Sequence, residues 1–386
     1  MTQIPAPLVP SKRLLMGPGP SEVAPSVLRV MSAPTLGHLD PEFLQVMDEI
    51  SAMLRVVFGT ENRLTMPMSG TGSAGMETLF VNLLQAGSRA LIGVNGVFGT
   101  RMAEVAKRCG AEVVTVNADW GTAFSPSDFA AAAEGQSFDV LALVHAETST
   151  GVAQDLDGFR GVADACGALL LVDCVTSLGG MPVELDRYGV DAAYSGTQKC
   201  LSCPPGLAPV SFSARAEAVM AARKTPSQSW YLDLGLIAKY WGGERAYHHT
   251  APINQLYGLH EALRLALEEG LEARYARHTR NGKTLASGLE ALGLSLWVQP
   301  DDRLAQLTSV RLPEGFDDAR GRRYLLDEFG IEVGGGLGPM AGKVWRIGLM
   351  GYGSTLPNIE LCLTAIRAAL NEQGIAPPAL VADASS

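Results

Sequence analysis

The chain has 386 residues, 47% of them hydrophobic and 18% charged, with a formal net charge of −10. That length suggests roughly two domains, and an acidic chain without a stripe of Lys and Arg excludes the usual phosphate-reading surface of a nucleic-acid binder. Its 43 glycines are scattered rather than periodic, which excludes a collagen-like repeat and fits a loop-rich α/β protein.

The first residues, MTQIPAPLVPSKRLL, are interrupted by prolines and lack the continuous apolar stretch of a signal peptide. No apolar run reaches about 18 residues without a charge or a breaker, so no membrane span is expected. The last residues, Asp383-Ala384-Ser385-Ser386, carry no peroxisomal or reticular address. A soluble cytoplasmic protein is expected.

From about residue 60, short apolar runs alternate with helical stretches. Strands are predicted at Leu64–Met68, Ala90–Val94, Glu112–Val116, Val140–Val144 and Ala168–Val172. Helices are predicted between them at Ser73–Leu84, Thr100–Arg108, Ser127–Ala133 and Leu156–Cys166. Asp191–Ser195 and Leu207–Ser213 read as two further strands bracketing the loop Gly196–Gly206. Strands this apolar are buried on both faces, so the fold class is α/β, with a mostly parallel sheet covered by helices on each side.

The character then changes. Pro226–Trp241 is aromatic-rich, and Ile253–Arg280 reads as one long helix. A smaller α+β unit follows, with strands near Ser309–Leu312 and Val344–Leu349 and helices near Asp317–Phe329 and Leu356–Leu370. The expected organisation is an N-terminal arm (1–20), a large domain (21–260), a small C-terminal domain (261–375) and a tail (376–386).

Gly70-Thr71-Gly72-Ser73-Ala74-Gly75 matches G-x-G-x-x-G after a strand and before a helix, the setting of a dinucleotide site. The acidic residue needed for the ribose is missing, because the end of the next strand holds Asn95. What remains is the motif's general physics: small residues and a helix N-terminus suited to a phosphate. A tight turn without a ligand is the simpler alternative.

Lys199, in Tyr194-Ser195-Gly196-Thr197-Gln198-Lys199, lies just past an apolar strand and ahead of Cys200-Leu201-Ser202-Cys203-Pro204-Pro205-Gly206. The proline turn excludes a helix there, and the carboxyl edge of a parallel sheet is where such folds bind ligands. Asp173 ends the strand Leu169-Leu170-Leu171-Val172, where an ionised carboxylate is costly unless it meets a cation. A strand-end Asp, a strand-end Lys and a phosphate-type turn on one edge are what pyridoxal phosphate requires. A surface lysine and a turn-capping aspartate are the bland alternatives. The pair Cys200 and Cys203 forms C-x-x-C without a second pair or a spaced His, so reduced structural thiols are favoured over a redox or zinc site, and no metal is expected.

At these residues the chain resembles the class V, fold-type I pyridoxal-phosphate aminotransferases, in particular the alanine/serine–glyoxylate (serine–pyruvate) group. The likeness runs from Gly17-Pro18-Gly19-Pro20 to Arg346-Ile347-Gly348-Leu349 and includes Tyr247-His248-His249-Thr250. It implies that Lys199 is the Schiff-base lysine and general base. Asp173 is then the partner of the pyridine nitrogen, and Val175 packs on the ring. Gly72 and Ser73 form the phosphate turn, with Gln198 helping through its amide and Thr148 placing a hydroxyl beside the cofactor. Phe98 stands where many relatives stack a Trp on the ring, and Ser73 where the mammalian enzyme has a His.

The same resemblance places Tyr247 and Thr250 on the phosphate of the neighbouring subunit, which implies a homodimer with shared active sites. Arg346 is implied to grip the substrate carboxylate as a planar fork, and Gly19 to border a site for small side chains. His38 borders the entrance and is given no catalytic role. The implied reaction is transfer of an amino group from serine or alanine to glyoxylate or pyruvate. A phosphonate-specific transaminase, a cysteine desulfurase on the same fold, an NAD-dependent dehydrogenase and a non-enzymatic binding module are the alternatives.

Overall fold

The computed structural model describes residues 4–378, so residues 1–3 of the arm and 379–386 of the expected tail lie outside the described residues. Seven strands form the central sheet: β1 (Leu64–Ser69), β2 (Arg89–Val94), β3 (Glu112–Asn117), β4 (Val140–Val144), β5 (Leu169–Asp173), β6 (Ala192–Tyr194) and β7 (Leu207–Phe212). Their spatial order is β1-β7-β6-β5-β4-β2-β3. Neighbours from β6 to β3 are parallel, and β7 runs antiparallel to both β1 and β6. All seven strands expected for the large domain are in this sheet.

The apolar runs explain why the sheet is covered on both sides. Every residue of β4 and β5 is buried. Because side chains alternate along a strand, Leu141, Leu143, Leu170 and Val172 pack with Phe129 and Phe159 on one face. Val140, Ala142, Val144, Leu169 and Leu171 pack with Phe80 and Met102 on the other.

Parallel register then gathers the strand ends. Val144 is level with Asp173, and Asp173 with Tyr194. Helices α1 (Gly72–Leu83) and α2 (Val97–Arg108) start from the same edge. Helix α2 begins earlier than the expected Thr100, because Ser149 Oγ and the Glu147 carboxylate accept the N–H groups of Val97, Phe98 and Gly99.

The helix expected over Ile253–Arg280 is two helices, α3 (Ile253–Glu269) and α4 (Leu271–Ala291). The break is Gly270, whose φ of 82° a side-chain-bearing residue rarely adopts. Glu269 fixes the bend by accepting from Arg274 at 2.7 Å and Arg277 at 2.6 Å. The boundary expected at 260 falls inside α3. Leu259 and Leu263 of α3 belong to the core beneath the large sheet, whereas Leu285 and Leu289 of α4 join a separate core.

That second core lies under a small antiparallel sheet of β8 (Leu307–Arg311), β9 (Gly334–Gly335) and β10 (Val344–Gly348), ordered β8-β10-β9. The arm belongs to it. Leu14–Leu15 pairs in parallel with Ile331–Glu332, Met16 is buried in the small core, and Gly348 N–H donates to Met16 carbonyl at 2.8 Å. A two-residue strand has too little periodicity to be legible in sequence. Its docking carries Gly17–Pro20 across to the large sheet's edge.

A Cβ at Gly348 would collide with the Gly17 carbonyl. Gly348→Ala is therefore expected to cost about 1–3 kcal/mol by overpacking and to lower kcat/KM, as read by denaturant melts and steady-state rates. A stable, fully active variant would show that the arm's seat is not required.

Candidate active site

Lys199 is 8% exposed and sits in the loop between β6 and β7. The loop is held by the arm. Ser21 N–H donates to Gln198 carbonyl at 2.8 Å, and Ser21 Oγ to Lys199 carbonyl at 2.7 Å. The Lys199 ammonium donates to the Pro18 carbonyl. A Cβ at Gly19, whose φ is 107°, would lie 2.6 Å from Lys199 Nζ, so only glycine fits between arm and lysine.

Asp173 is 2% exposed. Val175 N–H donates to its Oδ1 at 2.8 Å, and the Tyr194 hydroxyl donates to Oδ2. Burial pushes the Asp173 carboxyl up to about 7, against the pull of those two donors. Burial, with the Arg346 charge adding to it, pushes the Lys199 amine down to about 8. Each group is thus held short of its ordinary charge, and an added cation beside Asp173 would restore the carboxylate's.

The turn after β1 meets the lysine loop directly. A Cβ on Gly72 would contact Val175 Cγ2 at 3.4 Å and the Gly196 Cα at 3.6 Å. Helix α1 starts at Gly72 with no side-chain cap from Thr71. Gly72 and Ser73 occupy its first positions, where backbone N–H groups have no acceptor within the helix. The Gln198 amide oxygen is buried without a hydrogen-bond partner, beside Gly196. An uncapped helix end and a cradle that any Cβ would narrow suit a phosphate group, to which Gln198 would present its NH2 rather than this oxygen.

Thr148 lies across the site. Its hydroxyl shares a 2.5 Å hydrogen bond with Thr176, and its carbonyl accepts from Arg346 Nη1 at 3.1 Å. Arg346, on β10, also donates from Nε to Gly335 carbonyl at 2.8 Å. It is 7% exposed. Both partners are carbonyls, so the guanidinium keeps its charge and its remaining donors for another group, while burial lowers its pKa from the ordinary value. Phe98 is half-buried in the first turn of α2, with the Arg101 guanidinium 5.1 Å from its ring centre.

Sequence reasoning thus named residues that meet at one edge: Lys199, Asp173, Val175, Gln198, Gly72, Ser73, Thr148, Gly19 and Arg346. It missed Tyr194, Glu147, Thr176 and the Pro18 carbonyl. Only Tyr194 left a signal, since a polar tip ending an apolar strand level with Asp173 invites that hydrogen bond. Tyr247 and Thr250 sit apart and exposed, bonded to one another at 3.3 Å, with the His38 ring 5.1 Å from Tyr247. Asn95 is buried and donates to Thr122 carbonyl at 2.9 Å.

The C-x-x-C residues point different ways. Cys200 Sγ lies toward Gly180 and Cys203 Sγ toward Gly258. All six cysteines are buried and free, and burial pushes both of these thiols up to about 12.

A family model described as aminotransferase class-V matches residues 23–352. The chain belongs to the class V aminotransferases. It is 43% identical over 368 residues to the alanine–glyoxylate aminotransferase of Rattus norvegicus, covering 94% of this chain and 89% of that protein. It is 40% identical over 379 residues to the (S)-ureidoglycine–glyoxylate transaminase of Bacillus subtilis, covering 93% and 90%. The crystal structure of the Nostoc sp. alanine–glyoxylate aminotransferase superposes with a TM-score of 0.93 at 50% identity, covering 95% of this chain and 97% of that one. This class V enzyme is therefore a transaminase that depends on pyridoxal phosphate, and the edge described above fits that cofactor.

An amine half-deprotonated near pH 8 must be neutral to attack an aldehyde. Uptake of pyridoxal phosphate by cofactor-stripped enzyme should therefore accelerate with pH around a midpoint of about 8, followed by absorbance. A midpoint at the ordinary 10.5 would contradict the burial of Lys199.

Proposed function

We propose that this transaminase moves the amino group of a small amino acid, serine or alanine, to a small 2-oxo acid, glyoxylate or pyruvate. The observation that carries the reading is Arg346: a buried guanidinium hydrogen-bonded to two carbonyls, with the Glu147 carboxylate near enough to favour its charge and itself close enough to Lys199 to push that amine's pKa down. Such a group is expensive unless an anion meets it, and amino acids and 2-oxo acids alike bring a carboxylate. Gly19 leaves no side chain beside Lys199, which favours small substrates.

Pyridoxal phosphate, when bound, supplies an electron sink for negative charge at the substrate Cα and carries the amino group between the two half-reactions. The chain's residues do the rest. Gly72, Ser73 and the Gln198 NH2 would hold the phosphate, and Val175 and Phe98 would flank the ring. Asp173 would keep a positive charge at the ring nitrogen, with Tyr194 and the Val175 N–H fixing its oxygens. Lys199 Nζ would hold the cofactor covalently at rest, and its amine, once displaced by the substrate amine, would take the proton from Cα and return a proton on the cofactor side. Arg346 orients the substrate through its carboxylate so that the Cα–H faces Lys199. A water molecule would supply the oxygen that replaces nitrogen on Cα, so that the amino donor leaves as a 2-oxo acid, and the same steps in reverse would aminate the acceptor and release water.

The chain works, in this reading, as a homodimer in the cytoplasm. Tyr247 at 58% exposure, with Trp230 at 62% and Tyr231 at 42%, supports an aromatic surface that a second copy covers. Six unpaired thiols support a reducing compartment, and no described helix is long and apolar enough to cross a membrane. Among the rivals, a desulfurase wants a reactive cysteine on a mobile loop, whereas Cys362 is fully buried in the helix Leu356–Glu372.

Steady-state kinetics with serine, alanine and ureidoglycine against glyoxylate and pyruvate test the substrate assignment. Turnover confined to large or carboxylate-free amines would overturn it. Arg346→Lys loses the planar fork and is expected to raise KM for both substrates roughly 10- to 100-fold with a smaller change in kcat.

Subunit sharing predicts complementation. Lys199→Ala and Thr250→Ala homodimers, each impaired, should regain activity when mixed into heterodimers that carry one intact site. Mixtures no more active than the sum of their parts would contradict the shared site.

A further inference from the structure

One buried carboxylate has no part in the steps above. Glu147 is 0% exposed and lies just past β4. Its Oε2 accepts the N–H groups of Phe98 at 3.2 Å and Gly99 at 3.4 Å, in the first turn of α2. Its Oε1 accepts the N–H of Ser149 at 3.0 Å and the Ser149 hydroxyl at 2.5 Å. Ser149 Oγ in turn accepts the Val97 N–H at 2.9 Å. Gly96 leaves the room for this knot, because a Cβ there would collide with Glu147 Cδ.

Both oxygens face backbone N–H donors. A proton on either oxygen, or the NH2 of an amide, would be set against one of them, so only the ionised carboxylate satisfies all its partners. Burial raises the carboxyl above its ordinary value, and those same donors oppose the rise by favouring the ionised form. The N-terminal end of α2 adds its positive dipole. The next residue links this anion to the substrate side, since the Thr148 carbonyl accepts from Arg346 and the Thr148 hydroxyl pairs with Thr176.

We propose that Glu147 is a positioning residue of the transamination site. As a buried anion it clamps the Phe98 end of α2 to the Thr148 segment, so that the aromatic face on the cofactor and the arginine on the substrate keep one fixed separation. This rests on the roles given above to Phe98 and Arg346.

The test is Glu147→Gln, which keeps shape but removes the charge and sets its NH2 against an N–H. Equilibrium titration of cofactor-stripped protein with pyridoxal phosphate should show a dissociation constant raised roughly tenfold, and KM for the amino acid and 2-oxo acid should rise by a similar factor while kcat changes less. A purely structural role would lower the melting temperature and leave both constants of the folded protein where they were. Unchanged constants in folded Glu147→Gln overturn the proposal. If that variant does not fold, Ser149→Ala removes one donor to Oε1 and the acceptor of the Val97 N–H, and a smaller rise in the same constants is expected; no rise again overturns it. Wild-type protein that takes up no cofactor would instead overturn the reading on which the proposal rests.

Discussion

The structure turns on the burial of opposite charges at the carboxyl edge of an apolar sheet. Asp173 ends a strand whose every residue is buried, and Lys199 follows the neighbouring strand into a loop closed by the arm. Neither group can be solvated by water to the extent its charge demands, and both are shifted toward neutrality by that burial. In the proposed roles, a bound aromatic cation would restore the Asp173 charge, its phosphate would meet the uncapped end of α1, and the neutral Lys199 amine would be free to bond the cofactor covalently. In the proposed roles, the arrangement would cost stability in the empty protein and become favourable in the loaded one.

The second body of the protein serves that edge. Arg346 comes from the small sheet and reaches the large one through the Thr148 carbonyl. The arm is seated on the small body by Met16 and passes Pro18 and Gly19 over the lysine. Arg274, 5% exposed in α4, donates to the carbonyls of Gly179 at 2.8 Å and Cys200 at 2.6 Å, while Arg277 donates to those of Gly351 and Ser354. The lysine loop and the segment after the arginine strand are thus tied to one helix. The separation of Lys199 and Arg346 is a property of the whole fold rather than of a single loop.

Much of this was legible in the sequence for a physical reason. Doubly buried parallel strands read as uninterrupted apolar runs, so all seven central strands stood out, and the polar residues that end them marked the edge. Lys199, Asp173 and the Gly70–Gly75 turn were visible because their chemistry conflicts with an apolar neighbourhood. What stayed hidden depends on long-range pairing. The Leu14–Leu15 strand is too short to show a period, and the break at Gly270 looked like one glycine in a helical pattern. Glu147 reads as an ordinary polar residue until the first turn of α2 is brought onto it. Tyr247 and Thr250 are named through family resemblance, and within one chain they are exposed and bond to one another.

The central claim is that Lys199 carries the cofactor opposite Asp173. Borohydride reduction of the purified enzyme, followed by peptide mass spectrometry, tests it most directly. The account predicts that the mass of the reduced pyridoxyl phosphate adduct is found on the peptide containing Lys199. An unmodified Lys199 peptide, or the adduct on a different lysine, would contradict it.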